Sequence, residues 1–323
     1  MKDCIKTEIE ESPLDPRKRV RYAFGMVLGV DDFRQEQVHF AERHSLANRL
    51  LHGAGTVSGL RVGVAAAADG SDAVVSVSEG YALSPRGHWI RVDTPQCGRL
   101  DHWLQANKAG ANPPLAAGPR RIYVVLGYDE CPTDLVPIAA RACASVEDAQ
   151  APSRVAESFK LGFAWQPPGQ AAEEAIRAFG ELLRAVEITP ASSPSSPAAD
   201  DGEIFLDAVR ALGEPSSPSL AASPPDGIYQ LPETKAAELL HRAQVIWATE
   251  VSPRLEAAAG DDLPLAALDF TLDGLGRLLV TVDAGGALTA PGIVTIDESA
   301  RPVLLSSRVQ QEWLTALGRW PSL

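Results

Sequence analysis

Cysteines are few in this sequence and long apolar runs are missing, and each absence limits what the protein can be. The four cysteines, Cys4, Cys97, Cys131 and Cys143, lie far apart without a CxxC pair, which favours reduced thiols over a disulfide framework. No run of about 18 apolar residues occurs, so no membrane-spanning helix is expected. The first 19 residues carry no apolar stretch of the kind that a secretory signal needs. Together these absences predict a cytoplasmic protein without direct membrane insertion.

Basic residues are outnumbered by acidic ones. The chain has 29 Lys and Arg against 42 Asp and Glu, which gives a formal net charge of −13. A chain of this charge repels nucleic acid, so nucleic acid is not expected as a partner. Hydrophobic residues still make up 45% of the 323 residues, enough to bury a core. The composition predicts a folded protein rather than a disordered or fibrous one.

The strongest single element is a helix predicted over residues 31–52. Apolar side chains recur there at helical spacing on one face, namely Phe33, Phe40, Ala47, Leu50 and Leu51. Asp31 or Asp32 can cap the beginning of the helix, and Gly53 can supply the positive φ that commonly ends one.

Short strands with short connections follow this helix. They are predicted at 56–64, 73–78, 88–92, 121–128 and 158–165. A helix followed by several strands, without βαβ alternation, indicates an α+β fold with a mainly antiparallel β-rich domain.

The second half of the chain changes character. Helices are predicted at 171–187, 203–212, 231–248 and 307–317, and strands at 265–272, 277–283 and 292–296. Two Ser/Pro linkers, 189–202 and 213–226, are too poor in large apolar groups to pack, so the helix between them is expected to be tethered and to bind its own core or a neighbouring subunit. The predicted units are a flexible arm at 1–20, a helix plus β-rich domain at 21–168, a helical region at 169–250 and a small C-terminal β/α segment at 251–323.

Glycines and histidines near the first helix do not form a known site. Gly53, Gly55 and Gly59 follow a helix and precede a strand, the reverse of the order in a dinucleotide-binding loop. His39 and His44 are five residues apart and so do not share a helix face as metal ligands would. His44 is expected to be hydrogen-bonded and partly buried. No metal, cofactor or catalytic residue is assigned.

Acidic residues after the strand 121–128 are the best alternative to a structural role. Asp129, Glu130 and Asp134 stand where catalytic groups often lie, with Cys131 among them. No histidine or basic residue adjacent in sequence would activate the thiol. Carboxylates that cap a loop explain the same pattern. An enzyme or small-ligand-binding module with an acidic site there is the alternative hypothesis.

Five segments resemble one bacterial protein family. They are YAFGMVL at 22–28, DDFRQEQVHFAERHSLANRLLHGAGTVSGLRV at 31–62, EGYALSPRGHWIRV at 79–92, YVVLGYDECPTDLVP at 123–137 and SRVAESFKL at 153–161. The family is encoded with phage-tail-like contractile injection systems. The spacing G-x-A-L-x-x-x-G-x-x-I-x-V also looks like the β-rich modules of phage baseplate and tail-fibre proteins. The stretch 263–315 fits the same family, and the Ser/Pro centre departs from it.

The resemblance implies a non-enzymatic structural or adaptor subunit at the baseplate or another terminal position of such a particle. Its partners would be other subunits of the particle, into which it assembles from the cytoplasm. The resemblance carries over no catalytic residue, cofactor or metal. Tyr22, Phe24 and Met26 are then the expected interface, because aromatic anchors commonly dominate interface energy. Alternatively, these three side chains cover the protein's own helix.

Overall fold

The computed structural model describes residues 14–138, 150–190, 200–214, 227–257, 260–289, 292 and 294–316. Its helices are α1 (Val30–His52), α2 (Leu100–Ala106), α3 (Ala171–Arg184), α4 (Gly202–Arg210), α5 (Glu233–Ile246), α6 (Ser252–Ala257) and α7 (Ser307–Ala316). Its strands are β1 (Gly55–Gly59), β2 (Val62–Ala66), β3 (Ala73–Val77), β4 (Gly80–Leu83), β5 (Trp89–Val92), β6 (Gln96–Arg99), β7 (Gly118–Pro137), β8 (Gln150–Ala164), β9 (Val186–Thr189), β10 (Tyr229–Pro232), β11 (Asp262–Leu272) and β12 (Thr295–Asp297). The α+β class predicted from the sequence is confirmed.

Helix α1 begins one residue before its predicted start. Its N-cap is Gly29, so the prediction of an Asp31 or Asp32 cap is wrong. Asp32 lies in the first turn, where its carboxylate accepts a 2.8 Å hydrogen bond from the Gly29 N–H and favours the positive end of the helix. The predicted end is confirmed: Gly53 has a φ of 79°, and its N–H donates to the carbonyls of Asn48 and Arg49.

Antiparallel pairing dominates the β-rich part of the fold. One sheet has the order β1-β4-β5, a second β2-β3-β6, and a third β12-β11-β7-β8. The third has four strands and is the largest. Within it, β11 pairs with β7 from Asp262↔Gly127 to Leu272↔Gly118. Leu60, Ile90, Ile122, Leu126 and Leu268 are fully buried in the shared core. Residues 262–272, far along the chain, thus complete the core begun by residues 60–126.

A second core joins the helices of the middle region. Phe205 and Leu206 of α4 are fully buried against Tyr229, Leu231 and the apolar face of α5. The helix between the Ser/Pro linkers therefore packs on its own protein. Most of the two linkers, residues 191–199 and 215–226, lies outside the described residues.

Strand β7 does not end at residue 128 as predicted. It runs to Pro137, and the prediction failed because its length is set by pairing with β8 rather than by local apolar content. The pairing of β7 with β11 ends at Gly127. From Tyr128↔Phe159 to Pro137↔Gln150, β7 pairs with β8 alone. Residues 128–137 and 150–159 form a two-stranded ribbon, here named the β7–β8 arm.

Residues 277–283 also differ from the predicted strand. They form isolated bridges, Leu272↔Leu278 and Val282↔Leu288, around turns. Asp273 and Asp283 accept backbone hydrogen bonds inside these turns, as expected for hairpin turn residues. None of the helices in the described ranges combines the length and the apolar character needed to cross a bilayer.

Candidate functional site

Helix α1 is attached to the body of the protein through polar residues. Ser45 and Asn48 are its buried side chains, and the Asn48 amide donates a 2.9 Å hydrogen bond to the carbonyl of Gly87, between β4 and β5. Arg49 reaches Glu256 at 3.8 Å. The remaining side chains of α1 are exposed or half-buried. The helix is thus held near its C-terminal end by a root made of Ser45 and Asn48.

The chain before α1 returns along a second face of this helix. The Gln35 side chain accepts from the Asp15 N–H at 3.1 Å and donates to the Lys18 carbonyl at 2.6 Å. The ring nitrogen Nδ1 of His39 lies 2.7 Å from the Pro16 carbonyl. Residues 14–20 of the predicted arm therefore bind α1, while residues 1–13 lie outside the described residues.

The apolar stripe of α1 faces away from the segment 14–20 and runs beside the root, since Asn48 borders it between His44 and Leu51. Here it is named the α1 seam and comprises Val30, Phe33, Gln37, Phe40, His44, Ala47 and Leu51, all of them exposed. Phe33 is 52% exposed, Phe40 58% and Leu51 77%. His44 is exposed too, so the prediction that it is partly buried is wrong; the buried residue beside it is Ser45. An amphipathic helix normally turns its apolar face to the core, and this one turns it to solvent.

The three predicted interface residues precede this seam. Phe24 is fully exposed, Tyr22 is 54% exposed and Met26 is 42% exposed. The Tyr22 hydroxyl donates to the Glu36 carboxylate on α1, which raises the pKa of the tyrosine. Tyr22 is therefore tied to the protein's own helix, whereas Phe24 covers nothing. Val27, not singled out from the sequence, is 90% exposed and extends the apolar surface.

The alternative acidic residues lie within β7, not after it. On the β7–β8 arm, Asp129 pairs with Lys160 at 3.0 Å and Asp134 with Arg154 at 3.1 Å. Glu130 accepts a 2.8 Å hydrogen bond from the Tyr128 hydroxyl. A strand advances about 3.3 Å per residue, so Asp129 and Asp134 lie about 16 Å apart along it. The structure gives each carboxylate its own partner and does not bring the three together.

The electrostatics of this arm fit ion pairs in a ribbon. The hydrogen bond from Lys160 lowers the pKa of Asp129 below its ordinary value. Burial, and then the bond to Glu130, raises the pKa of the Tyr128 hydroxyl. A general acid at neutral pH needs a raised carboxyl pKa, and that of Asp129 moves the other way.

Two of the cavities formed by the described residues lie apart from the α1 seam and from the acidic residues of the arm. One of about 320 Å³ opens between α4 and α5, where Lys235 pairs with Asp200 at 2.6 Å and Arg242 with Glu203 at 2.9 Å. Since its cations are already paired, it offers no free positive charge to an anionic ligand. The other, a groove of about 260 Å³ beside β6 and β8, is lined mainly by apolar side chains, including Phe159 and Phe163. A ligand site usually adds a few convergent polar groups to such a lining.

Metal ligands do not cluster in the part of the chain that the structure describes: no three His, Cys, Asp or Glu side chains there could hold one ion together. Cys97 and Cys131 are free thiols, while Cys4 and Cys143 fall outside that part. The sequence matches no protein-family model and no curated protein. The α1 seam, with Phe24 and Val27 ahead of it, is therefore the candidate functional surface.

Proposed function

We propose that this chain is a non-enzymatic structural or adaptor subunit of a phage-tail-like contractile injection particle, at its baseplate or another terminal position. The observation that carries the proposal is the α1 seam. An exposed stripe of mainly apolar residues on a projecting helix is typical of a protein interface, and aromatic residues such as Phe33 and Phe40 are typical interface anchors. The sequence resemblance supplies the kind of assembly.

The β7–β8 arm supports the same proposal. An isolated two-stranded ribbon is at best marginally stable in water, because neither face is covered. Leu135 is 65% exposed and Val155 61% exposed on this ribbon. A neighbouring subunit against the arm would cover these side chains and stabilise it. The protein thus has two projections, α1 and the arm; Tyr128 and Phe159 at the base of the arm pack on the core, whereas Leu135 and Val155 further along it stay exposed.

The ion pairs along the arm are also consistent with a structural role. Lys160 and Arg154 neutralise Asp129 and Asp134 across the two strands, as cross-strand pairs in a sheet commonly do. The net charge of −13 agrees with protein partners rather than nucleic acid.

Co-purification with the particle tests the proposal. The particle genes are expressed with either the wild-type chain or a Phe33→Gln/Phe40→Gln variant, and particles are isolated by sedimentation. We expect the variant to be lost from the particle although its thermal unfolding is unchanged, because neither ring lies in a core. Leu46→Gln is the matched control, since Leu46 lies on α1 outside the seam.

A second variant tests the segment before the helix. Removal of residues 1–26 deletes Tyr22, Phe24 and Met26 and should also reduce incorporation. If the seam variant joins the particle as well as the wild type does, the proposed function loses the surface that supports it.

A further inference from the structure

We infer that the α1 seam binds the α1 seam of a second copy of this chain, as an antiparallel pair of helices. The inference deepens the proposed function and rests on it. It assigns the seam a partner of known chemistry, namely the same helix. The spacing, the flanking charges and the position of the preceding segment each support this partner.

The spacing is that of a helix-pairing seam. Its residues alternate three and four apart, at positions 30, 33, 37, 40, 44, 47 and 51. Such spacing keeps one stripe facing a partner helix along the whole length, with each side chain inserted between side chains opposite. Phe33 and Phe40 occupy equivalent positions one heptad apart. Gln37 and His44 share the second heptad position of the seam with Val30 and Leu51, and a polar residue at such a position limits the registers in which two helices can pair.

The flanking charges select the antiparallel direction. Glu36 and Arg43 lie seven residues apart along the same edge of the seam. In a parallel pair, this edge would face the opposite edge of the second helix, where Glu36 meets Ala41 and Arg43 meets Asn48. In an antiparallel pair, this edge of one copy faces the same edge of the second copy. Glu36 of each copy can then meet Arg43 of the other, which gives two ion pairs related by the twofold axis.

The same charges select one register. When Gln37 of one copy lies opposite Phe40 of the other, both Glu36–Arg43 pairs form. A shift of one heptad in one direction places the two Arg43 side chains together, and a shift in the other direction places the two Glu36 side chains together. Like charges in contact disfavour these registers. Glu36 keeps its bond from Tyr22, because a carboxylate accepts several hydrogen bonds.

This register also gives the preceding segment a place. It brings the N-terminal end of one α1 beside the C-terminal end of the other, so that Val30 of one copy lies level with Ala47 of the other and the segment before Val30 lies near Leu51. Leu51 and Phe24 are among the most exposed apolar side chains of the protein. Pairing would cover both at once. Residues 24–27 would then contact a neighbour, which is the contact proposed for this segment.

The size of the seam predicts a reversible dimer. A buried aromatic side chain contributes about 150–250 Å², so Phe33 and Phe40, each about half exposed, contribute on the order of 100 Å² apiece. With Val30 and Leu51 the seam remains below the roughly 800 Å² per partner of a standard stable interface. We therefore expect dimerisation to depend on protein concentration and to strengthen when a particle holds two copies together.

Sedimentation equilibrium of the full chain over a range of concentrations tests the pairing. We expect a monomer–dimer equilibrium for the wild type and for Leu46→Gln, and at least about a tenfold higher dimer dissociation constant for Phe40→Gln. Glu36→Arg and Arg43→Glu should each weaken the dimer, and the double variant E36R/R43E should restore it. Tyr22→Phe is the control for the internal bond that Glu36→Arg also removes.

A monomeric wild type at every concentration would overturn the inference and leave the seam to another subunit. A dimer that Phe40→Gln leaves intact would overturn it as well, and a double variant no tighter than the single ones would exclude the antiparallel register. The proposed function fails by a different result, because a seam variant that still enters the particle contradicts it whether or not the free chain dimerises.

Discussion

The side-chain amide of Asn48 and the backbone carbonyl of Gly87 are joined by a buried 2.9 Å hydrogen bond, which fastens α1 to the turn between β4 and β5. The approach of the two segments is close, because a Cβ atom on Gly87 would overlap the carbonyl of Ser45 one turn earlier in the helix. Gly87 also has a φ of 86°, in the left-handed region. The orientation of the exposed seam therefore depends on the close approach of a glycine and an asparagine, to which the Arg49–Glu256 contact adds.

Gly87→Ala is expected to destabilise the protein more than Gly70→Ala does. Both glycines have positive φ, which costs an alanine about 1 kcal/mol, but a Cβ on Gly70 would meet nothing within 4 Å. At Gly87 the overlap with Ser45 adds to this strain, for a total of about 2–4 kcal/mol. Urea unfolding of both variants measures the difference. Equal losses at the two positions would mean that the turn yields easily and that the root does not fix α1.

The sequence predicts α1 well and its environment poorly. The bounds of the helix follow from local signals, namely the periodic apolar residues and Gly53. Periodicity defines a stripe but not what covers it. The root is formed by Ser45 and Asn48, which no apolar pattern marks, and their partner Gly87 lies 39 residues from Asn48 in sequence.

Strand pairing between distant segments explains the other differences. The sequence predicts 265–272 as a strand, but its neighbour β7 lies about 140 residues earlier, and only the folded chain shows the pairing. Residues 129–134 of β7 are mainly polar, and prolines stand at positions 132 and 137, so local content predicts no strand over 129–137. Pairing with β8 overrides that preference, and it places Asp129, Glu130 and Asp134 on a ribbon rather than at a loop.

Acid should weaken one surface contact in a defined pH window. The hydrogen bond from Arg99, followed by those from Ser71, lowers the pKa of Asp69 from 3.8 to about 2. Because the folded-state pKa is depressed, the contact stabilises the fold fully above about pH 4, and this contribution is lost as the pH falls through about 2. We expect Asp69→Asn to be less stable than the wild type at pH 7 and the two to converge near pH 2.

Carboxyl NMR titration provides the direct measurement for Asp69. In an Arg99→Gln variant the pKa of Asp69 should return towards 3.8, since the largest cause of its depression is gone. An unchanged Asp69 titration in that variant would show that the Ser71 bonds alone hold the carboxylate. Unfolding of wild type and Asp69→Asn between pH 7 and pH 2 then checks the predicted convergence.

Arg301 joins the C-terminal segment to the first sheet, and replacing it should release that segment. Its side chain is 8% exposed and donates to Thr56 Oγ1 at 3.0 Å and to the Leu60 carbonyl at 2.9 Å. A lysine cannot reproduce this planar fork of donors, so Arg301→Lys should cost about 1–3 kcal/mol by leaving buried acceptors unpaired.

The loss should also be local. The N–H of Leu304 donates to the Thr56 carbonyl at 2.8 Å, and that of Thr56 donates to the Pro302 carbonyl at 2.9 Å, directly beside Arg301. Both amides should exchange with solvent faster in Arg301→Lys, as measured by hydrogen exchange. Arg308→Lys is the matched control, because Arg308 pairs with Glu312 on the exposed face of α7. Unchanged protection of Thr56 and Leu304 in Arg301→Lys would show that strand-like backbone bonds, not the guanidinium, hold the C-terminal segment beside β1.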